Sequence, residues 1–510
     1  MHGIIAATAA LALGFALASG AATATVAPTR TAQEQPADPA EYAAKLVQEA
    51  FDETGRNRTG AAQAKLELAF HSSGFAQLPA NLRYRALLVA CMIAYQDGQG
   101  DKAHELAERA TSFDEADDRA WMIRLSSAFD IKNYPDAAQS VIVMAQRWPA
   151  RLADVYAPAI MQLHRELTRA QHTGADRDML DALFEAGWRN EDVEPSGLWR
   201  DLALLHVEHH DIARATAVAL RIDSAQTALS MRVDKRFDAI TAGHRQAFDV
   251  DRLIASEIAA AQARMRAHPD QLKPVTDLQG LLLLTRQYAR VLSISDTAIE
   301  HSAQGDGSTT YTDFSDRYNW ILDNRSRALT RLGRFDEAVR VEVLAARRPE
   351  HGAMNVSQLI NLANLQAELQ RPDKAAGVIV ELGQMSPYGR MQLESVRLKI
   401  AIVAKDKAAT DHAMAYLRTH RADAIATWQD ALLLDGDLDA AAALLIERLE
   451  KPAWRNDALV AMQHYAEITE TPLERLTHDR WNTITARVDV QTAMQKVGRV
   501  ETFGITTALQ

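Results

Sequence analysis

The sequence predicts an all-α chain of tandem two-helix modules docked edge to edge as a solenoid. Three observations point there. Small residues, mostly alanine, recur at a spacing of about 33 residues. Apolar residues make up 47% of the chain while aromatics reach only 6% and glycine 23 of 510 positions, a balance that suits helices better than strands and hairpins. Prolines stand where units should end: Pro149, Pro349, Pro387 and Pro452 each lack the N–H a continuing helix needs.

The chain begins with a targeting pattern. Ile4 to Ala18 is an uninterrupted, weakly apolar run, suited to a signal-peptide core and short for a membrane span, and no charged side chain occurs before Arg30. Ala22-Thr23-Ala24 offers the small side chains a signal peptidase accepts, so residues 1–24 read as a signal peptide cut after Ala24. Met1-His2-Gly3 lacks the usual Lys or Arg, which keeps an uncut, membrane-tethered adaptor open as an alternative. Residues 25–39 are rich in Pro, Thr and Gln and read as a flexible linker. Arginine outnumbers lysine and alanine is frequent, as in a G+C-rich bacterial genome. The exported product is therefore expected in the periplasm or outside the cell, and no later segment is apolar enough to insert in a membrane.

From residue 40 to 452 the repeat can be aligned on Ala103, Ala137, Ala215, Val291, Ala338, Ala375, Ala408 and Ala441. Sixteen residues before each marker stand Leu87, Trp121, Trp199, Val275, Leu322, Leu359, Gln392 and Ile425, all but one apolar. A small marker lets two helix backbones approach, and the large residue fills the space beside it. A single pair cannot bury its own apolar face, so each unit leans on the next. Residues 40–71 read as a leading helix pair. The spans 150–195 and 223–271 read as degenerate units, and Ser302–Tyr311 as the clearest internal loop. Residues 453–510 read as C-terminal capping helices followed by an extended tail.

This pattern resembles the tetratricopeptide repeat (TPR) family: a large apolar residue early in the first helix, Gly or polar residues at the turn, Tyr or Phe shortly after, a small residue entering the second helix, and a closing Pro. Gln279 and Gln429, where Gly or Ala is expected, depart from it, as do Lys399 and Gln392 in the unit of Ala408. The resemblance implies a right-handed superhelical solenoid whose first helices line a concave groove for a peptide or protein partner. Carried over unit by unit, the groove residues would be Arg85, Leu88, Met92 and Tyr95; then Arg200, Leu204 and Val207; then Trp320, Asp323, Arg327 and Arg331; then Ile360 and Asn364. Arginine forks there would suit carboxylates, and the Asn364 amide a peptide backbone.

Chemistry is otherwise sparse. Net charge is −11, which argues against a nucleic-acid partner, and the lone Cys91 excludes an intramolecular disulfide or a cysteine-rich metal site. Neither a phosphate-binding glycine loop, a nucleophile elbow nor a zincin motif is present, so neither a cofactor nor an enzymatic activity is expected. The best metal candidate is His206 with His210, one helical turn apart in HVEHHD. The repeat register places His206 instead in the first-helix interior and His210 at the turn. Cys91 falls at a packing position. The expected function is a non-enzymatic, exported interaction scaffold, in envelope assembly, secretion or polysaccharide export. A metal-binding or enzymatic envelope protein using His206 and His210 is the alternative.

Overall fold

The computed structural model describes residues 38–190, 193–303, 311–349, 353–380 and 382–506. The signal and linker expectations, most of the Ser302–Tyr311 loop and the last four residues lie outside these. The described residues form helices and turns, with no strand longer than an isolated bridge. The fold is thus the all-α array of TPR-like helix-turn-helix repeats that the sequence predicts. It comprises two compact units, the first ending at Arg221 and the second starting at Ile222.

Unit 1 contains α1 (Pro39–Gly55), α2 (Thr59–His71), α3 (Ala80–Gln96), α4 (Gly100–Thr111), α5 (Asp118–Asp130), α6 (Tyr134–Arg147), α7 (Ala157–Arg169), α8 (Thr173–Glu185), α9 (Ser196–Glu208) and α10 (Ile212–Ala219). Each odd-numbered helix is the first of a pair and packs on the even one that follows. Unit 2 opens with α11 (Ala225–Val233), the short α12 (Asp238–Thr241) and α13 (Val250–Ala267), where a long connection replaces the tight turn. The regular pairs then resume: α14 (Lys273–Leu284) with α15 (Tyr288–Ala303), α16 (Phe314–Arg331) with α17 (Phe335–Ala346), α18 (Val356–Glu368) with α19 (Pro372–Val378), α20 (Pro387–Ala404) with α21 (Lys407–Thr419), and α22 (Ile425–Asp435) with α23 (Leu438–Glu450). Three helices follow: α24 (Pro452–Ala461), α25 (Pro472–Thr485) and α26 (Val488–Val497).

One stereochemical device builds every regular pair. A single residue in the left-handed region turns the chain, and five residues later a buried residue of the second helix faces the first. Turn and facing residue are Asn57 and Ala62, Gly98 and Ala103, Lys132 and Ala137, Gln171 and Asp176, His210 and Ala215, Arg286 and Val291, Gly333 and Ala338, Gln370 and Ala375, Lys405 and Thr410, Gly436 and Ala441. This corrects the sequence register in one unit. Ala408 is exposed, and Thr410 takes the marker position, its hydroxyl donating to the Asp406 carbonyl at 2.8 Å. Threonine is small enough for the close approach and satisfies its own hydroxyl, so the position is not restricted to alanine.

The facing position on the first helix explains how polar residues are tolerated in the core. Ser326 Oγ donates to the Ala338 carbonyl at 3.1 Å, Gln429 Nε2 to the Ala441 carbonyl at 2.8 Å, and Gln279 Nε2 to Ser295 Oγ at 2.8 Å. A buried amide or hydroxyl costs little when its partner is the helix it must contact anyway. Cys91 holds the same position in α3, fully buried, its thiol donating to the Leu88 carbonyl and pushed up to about 12 by burial. It is a packing residue. Trp121 and Trp199 are core residues, as their spacing implies.

The C-terminal segment does more than cap the last pair. α24 packs on α23 and also on α11, so the end of unit 2 returns to its beginning. Gly498 makes this closure possible: a Cβ there would lie 2.4 Å from Leu459 Cδ2 and 2.5 Å from the Val233 carbonyl oxygen. The tail beyond it is extended, with Arg499 N–H donating to Val233 O at 3.0 Å and Thr506 N–H to Leu284 O at 2.8 Å. Residues 464–466 and 501–505 pair with each other on the way, and Phe503 and Ile505 are buried.

Candidate functional site

In unit 1 the expected wall residues lie on α3 and α9. Arg85 is exposed, its guanidinium 5.1 Å from the Phe51 ring centroid. Met92 and Tyr95 are half-buried, and burial raises the Tyr95 phenol above its usual range. Leu88 is buried, so it supports the wall from behind. On α9, Leu204 and Val207 are half-buried, and Arg200 pairs with Asp201 at 2.6 Å. The same register on α5 and α7 adds Met122, Phe129 and Met161, all half-buried, and the exposed Arg165. Sequence reading missed these. The α5 residues follow from Ala137 by counting back, but α7 has no small marker to count from, because Asp176 stands there.

Asp176 is the reason this unit looked degenerate. It is buried, and His164 on α7 points Nδ1 at its Oδ1 (2.9 Å) and Nε2 at Asp201 Oδ2 of α9 (3.2 Å). Thr168 Oγ1 donates to Asp176 Oδ2 at 3.3 Å. Burial alone would discharge this imidazole. The two carboxylates overcome it and hold the pKa up at about 9, so His164 is a cation joining α7, α8 and α9 at neutral pH. The charge chain Arg200–Asp201–His164–Asp176 positions the wall around Leu204.

The metal candidates behave differently. His206 is buried with Nε2 3.0 Å from Asp181 Oδ2, and Arg214 pairs with the same carboxylate at 2.8 Å. His210 is exposed and occupies the left-handed turn position. The structure therefore gives the two histidines separate packing and turn roles. Among the described residues, a group with metal-ligand spacing is His104, Glu108 and Asp136. Arg124 sits on it, with Nε 2.8 Å from Asp136 Oδ2 and Nη2 3.8 Å from Glu108, and already supplies the positive charge. An open depression of about 820 Å³ between α6 and α8 is lined in part by Asp178, Asp181 and Glu185, all three of them paired with arginines.

In unit 2 most of the expected residues are spent on contacts within the chain. Trp320 is half-buried. Asp323 is buried, accepting from Asn361 Nδ2 at 2.9 Å and lying 2.8 Å from Arg327 Nε. Burial and the Asp323 charge push the neighbouring Glu342 carboxyl up to about 8. Ile360 is packed with Ala363, Ile379, Leu393 and Val396. Asn364 does use its amide to donate and accept at once, but to side chains: Nδ2 to Glu368 at 3.1 Å, and Oδ1 from Lys399 Nζ at 2.7 Å. Lys399, a departure from the repeat pattern, also bonds Glu368 at 2.8 Å.

Arg331 is the most fully engaged. It is 9% exposed and forms a two-pronged bridge to Glu474 of α25, both distances 2.8 Å, with a third bond to the Thr469 carbonyl at 2.9 Å. Burial would raise the Glu474 carboxyl, but the hydrogen bonds and charge of Arg331 hold it below its usual range. Farther along α25, Arg480 Nη1 donates to the carbonyls of Leu433 and Leu434 at 2.5 and 2.8 Å. These are carbonyls that the end of α22 leaves without helical partners. The tail treats α11 and α14 alike, through Arg499 Nη1 to Arg232 O at 2.7 Å and Thr506 to Leu284 O. The C-terminal segment thus runs along the C-terminal ends of the first helices of unit 2.

No protein-family model matches the chain, and no curated protein matches it. Among solved structures the chain is similar to one described as the APC/C hetero-tetramer Cut9–Hcn1, at 12% identity over 90% of this chain and 98% of that one, TM-score 0.26. It is also similar to yeast Tom70, at 11% identity over 89% and 99% of the two chains, TM-score 0.28. A third similarity is to Naa15/Naa10 bound to HypK-THB, at 12% identity over 82% and 70%, TM-score 0.23. By the turn and facing residues of its own helix pairs, the chain is built of TPR-like repeats.

Proposed function

We propose that this protein is a non-enzymatic scaffold that recognises another protein through the first-helix wall of unit 1. The observation that carries the reading is one row of side chains at a common register on successive first helices. Met92, Tyr95, Met122, Phe129, Met161, Leu204 and Val207 are half-buried and apolar, and Arg85 and Arg165 are exposed among them. Methionine and aromatic side chains adapt to varied apolar partners, and arginine forks match carboxylates. The partner is a peptide or protein segment mixing apolar and acidic residues.

The proposal includes export: cleavage after Ala24 and work in the cell envelope, in assembly, secretion or polysaccharide export. N-terminal sequencing of the native protein tests the first part; a chain starting at Met1 overturns it and leaves the membrane-tethered adaptor. For recognition, the mature chain is used as bait in envelope extracts beside a Tyr95→Ala/Leu204→Ala variant. Both positions are half-buried on one face, so the variant keeps its helicity and its melting temperature within a few degrees. Loss of specific partners supports the wall; equal recovery of every partner rejects it.

A further inference from the structure

We propose that α25 is a strap that covers a carboxylate-binding site on unit 2, with Glu474 as a built-in ligand that an outside acidic peptide replaces. This rests on the reading of the chain as a peptide-binding scaffold and adds to it a ligand class and a means of control.

The site is made by Arg331 at the end of α16. The arginine fork takes both oxygens of Glu474, and the charge of Lys399 on α20, itself bonded to Glu368, helps lower the same carboxyl. The ligand is presented in a defined way. Thr471 Oγ1 accepts from the Glu474 N–H and Glu474 Oε2 accepts from the Thr471 N–H at 2.8 Å, so the carboxylate is held at the first turn of a helix. With Glu474 removed, Arg331 is a buried cation without its carboxylate, a state that demands an anion.

The way α25 is held marks it as the part that lifts. Over its fourteen residues it buries only two apolar side chains, Leu473 and Ile484. Its polar attachments include the Arg331 bridge at its first turn and the Arg480 bonds to Leu433 and Leu434 past its middle. The flanking elements are shorter and more densely anchored: α24 buries Ala458 and Leu459 in ten residues with Met462 just beyond its end, and α26 buries Val490, Ala493 and Met494 in ten, with Phe503 and Ile505 buried in the tail. A segment rich in polar contacts and poor in buried apolar area opens locally before its neighbours do. While both ends stay attached, the tether keeps Glu474 at high effective concentration over Arg331, so an outside peptide competes poorly until the strap is loosened.

The test uses the full chain, as wild type and as the Glu474→Gln, Arg480→Gln and Arg331→Gln/Glu474→Gln variants. Hydrogen exchange read by mass spectrometry should be roughly tenfold or more faster across residues 473–485 in both single variants, with residues 488–497 unchanged. A labelled synthetic peptide of residues 466–487 should bind Glu474→Gln roughly tenfold tighter than wild type, and the double variant no better than wild type. Arg480→Gln leaves no buried charge unpaired, so it remains informative if Glu474→Gln does not fold. Exchange that rises equally in residues 488–497, or equal peptide binding by wild type and Glu474→Gln, overturns the strap. Neither readout involves an outside partner, so a failed strap leaves the unit 1 recognition experiment standing, and the reverse also holds.

Discussion

The same first-helix register is put to two uses. In unit 1 the row from Met92 to Val207 is half-buried and carries exposed arginines, and its charges are organised behind the wall, by His164 between two aspartates. In unit 2 most of the expected residues are consumed: Asp323 by Asn361 and Arg327, Asn364 by Lys399 and Glu368, and Arg331, one position past the row, by Glu474. The repeat therefore fixes where a wall lies, while the residues on it and the chain that returns over it decide whether it faces outward. A basic side chain at a groove position that the chain itself has buried and paired, as it has Arg331, is not presented to a partner.

The largest expected difference comes from removing residues 463–510. Burial of Leu473, Ile484, Val490, Met494, Phe503 and Ile505 would be lost, and six such side chains contribute more than about 5 kcal/mol together. Two-step melting by calorimetry should follow, with unit 2 unfolding first; a single unshifted transition would break the comparison. The two glycines that seat closures come next. In unit 1 a Cβ at Gly74 would lie 1.8 Å from the Pro39 carbonyl oxygen, and in unit 2 one at Gly498 would meet Val233 O and Leu459. Backbone cannot give way as a side-chain tip does, so Gly74→Ala and Gly498→Ala should each cost about 3 kcal/mol in chemical denaturation. Only the second should speed exchange in the C-terminal segment.

How much of this was legible follows from what kind of constraint each feature obeys. The pairs were legible because close approach of two backbones restricts one position to small side chains, and Ala103 to Ala441 recur accordingly. The unit of α7 and α8 was hidden because a charged pair, His164 with Asp176, does there what shape does elsewhere. The register at Thr410 slipped because the facing position holds a threonine and an alanine, Ala408, stands two residues before it. Turn residues were legible at Gly98, Gly333 and Gly436, and at His210 by its register alone, since Lys, Gln, Arg and Asn take the same left-handed conformation at the other turns. The covering of unit 2 could not be read at all: Arg331 and Glu474, or Arg232 and Glu501, pair across more than a hundred residues, and no local pattern announces such contacts.

Two pH effects sharpen the comparison, each on the order of a few kcal/mol. The His164 pKa is raised in the folded chain, so its stabilisation is complete below about pH 6.5 and is lost as pH rises through about 9. His164→Gln should flatten that part of the stability profile of unit 1. The Glu342 carboxyl is raised as well, first by burial and then by Asp323, so its contribution is present below about pH 4.5 and is lost as pH rises toward 8. Glu342→Gln should remove that slope from unit 2. Melting followed between pH 5 and 10 reads both; slopes unchanged in the variants contradict the assignments.

The smallest effect separates two turns of unit 2. A Cβ at Gly333 would meet nothing, whereas one at Gly436 would lie 3.2 Å from Arg480 Nη2. Both substitutions carry the left-handed penalty of about 1 kcal/mol. Gly436→Ala should cost a few tenths of a kcal/mol more and loosen residues 473–485, which Gly333→Ala should not.

The central claim is that unit 2 is closed by its own C-terminal segment while the wall of unit 1 is accessible. Methionine oxidation footprinting of the intact chain in solution tests it most directly. Met92, Met122 and Met161 are half-buried on the unit 1 wall, whereas Met462 and Met494 lie buried, at 5% and 1% exposure, where the segment returns. The first three should oxidise at least about tenfold faster than the last two. Equal rates in the two groups would contradict the account.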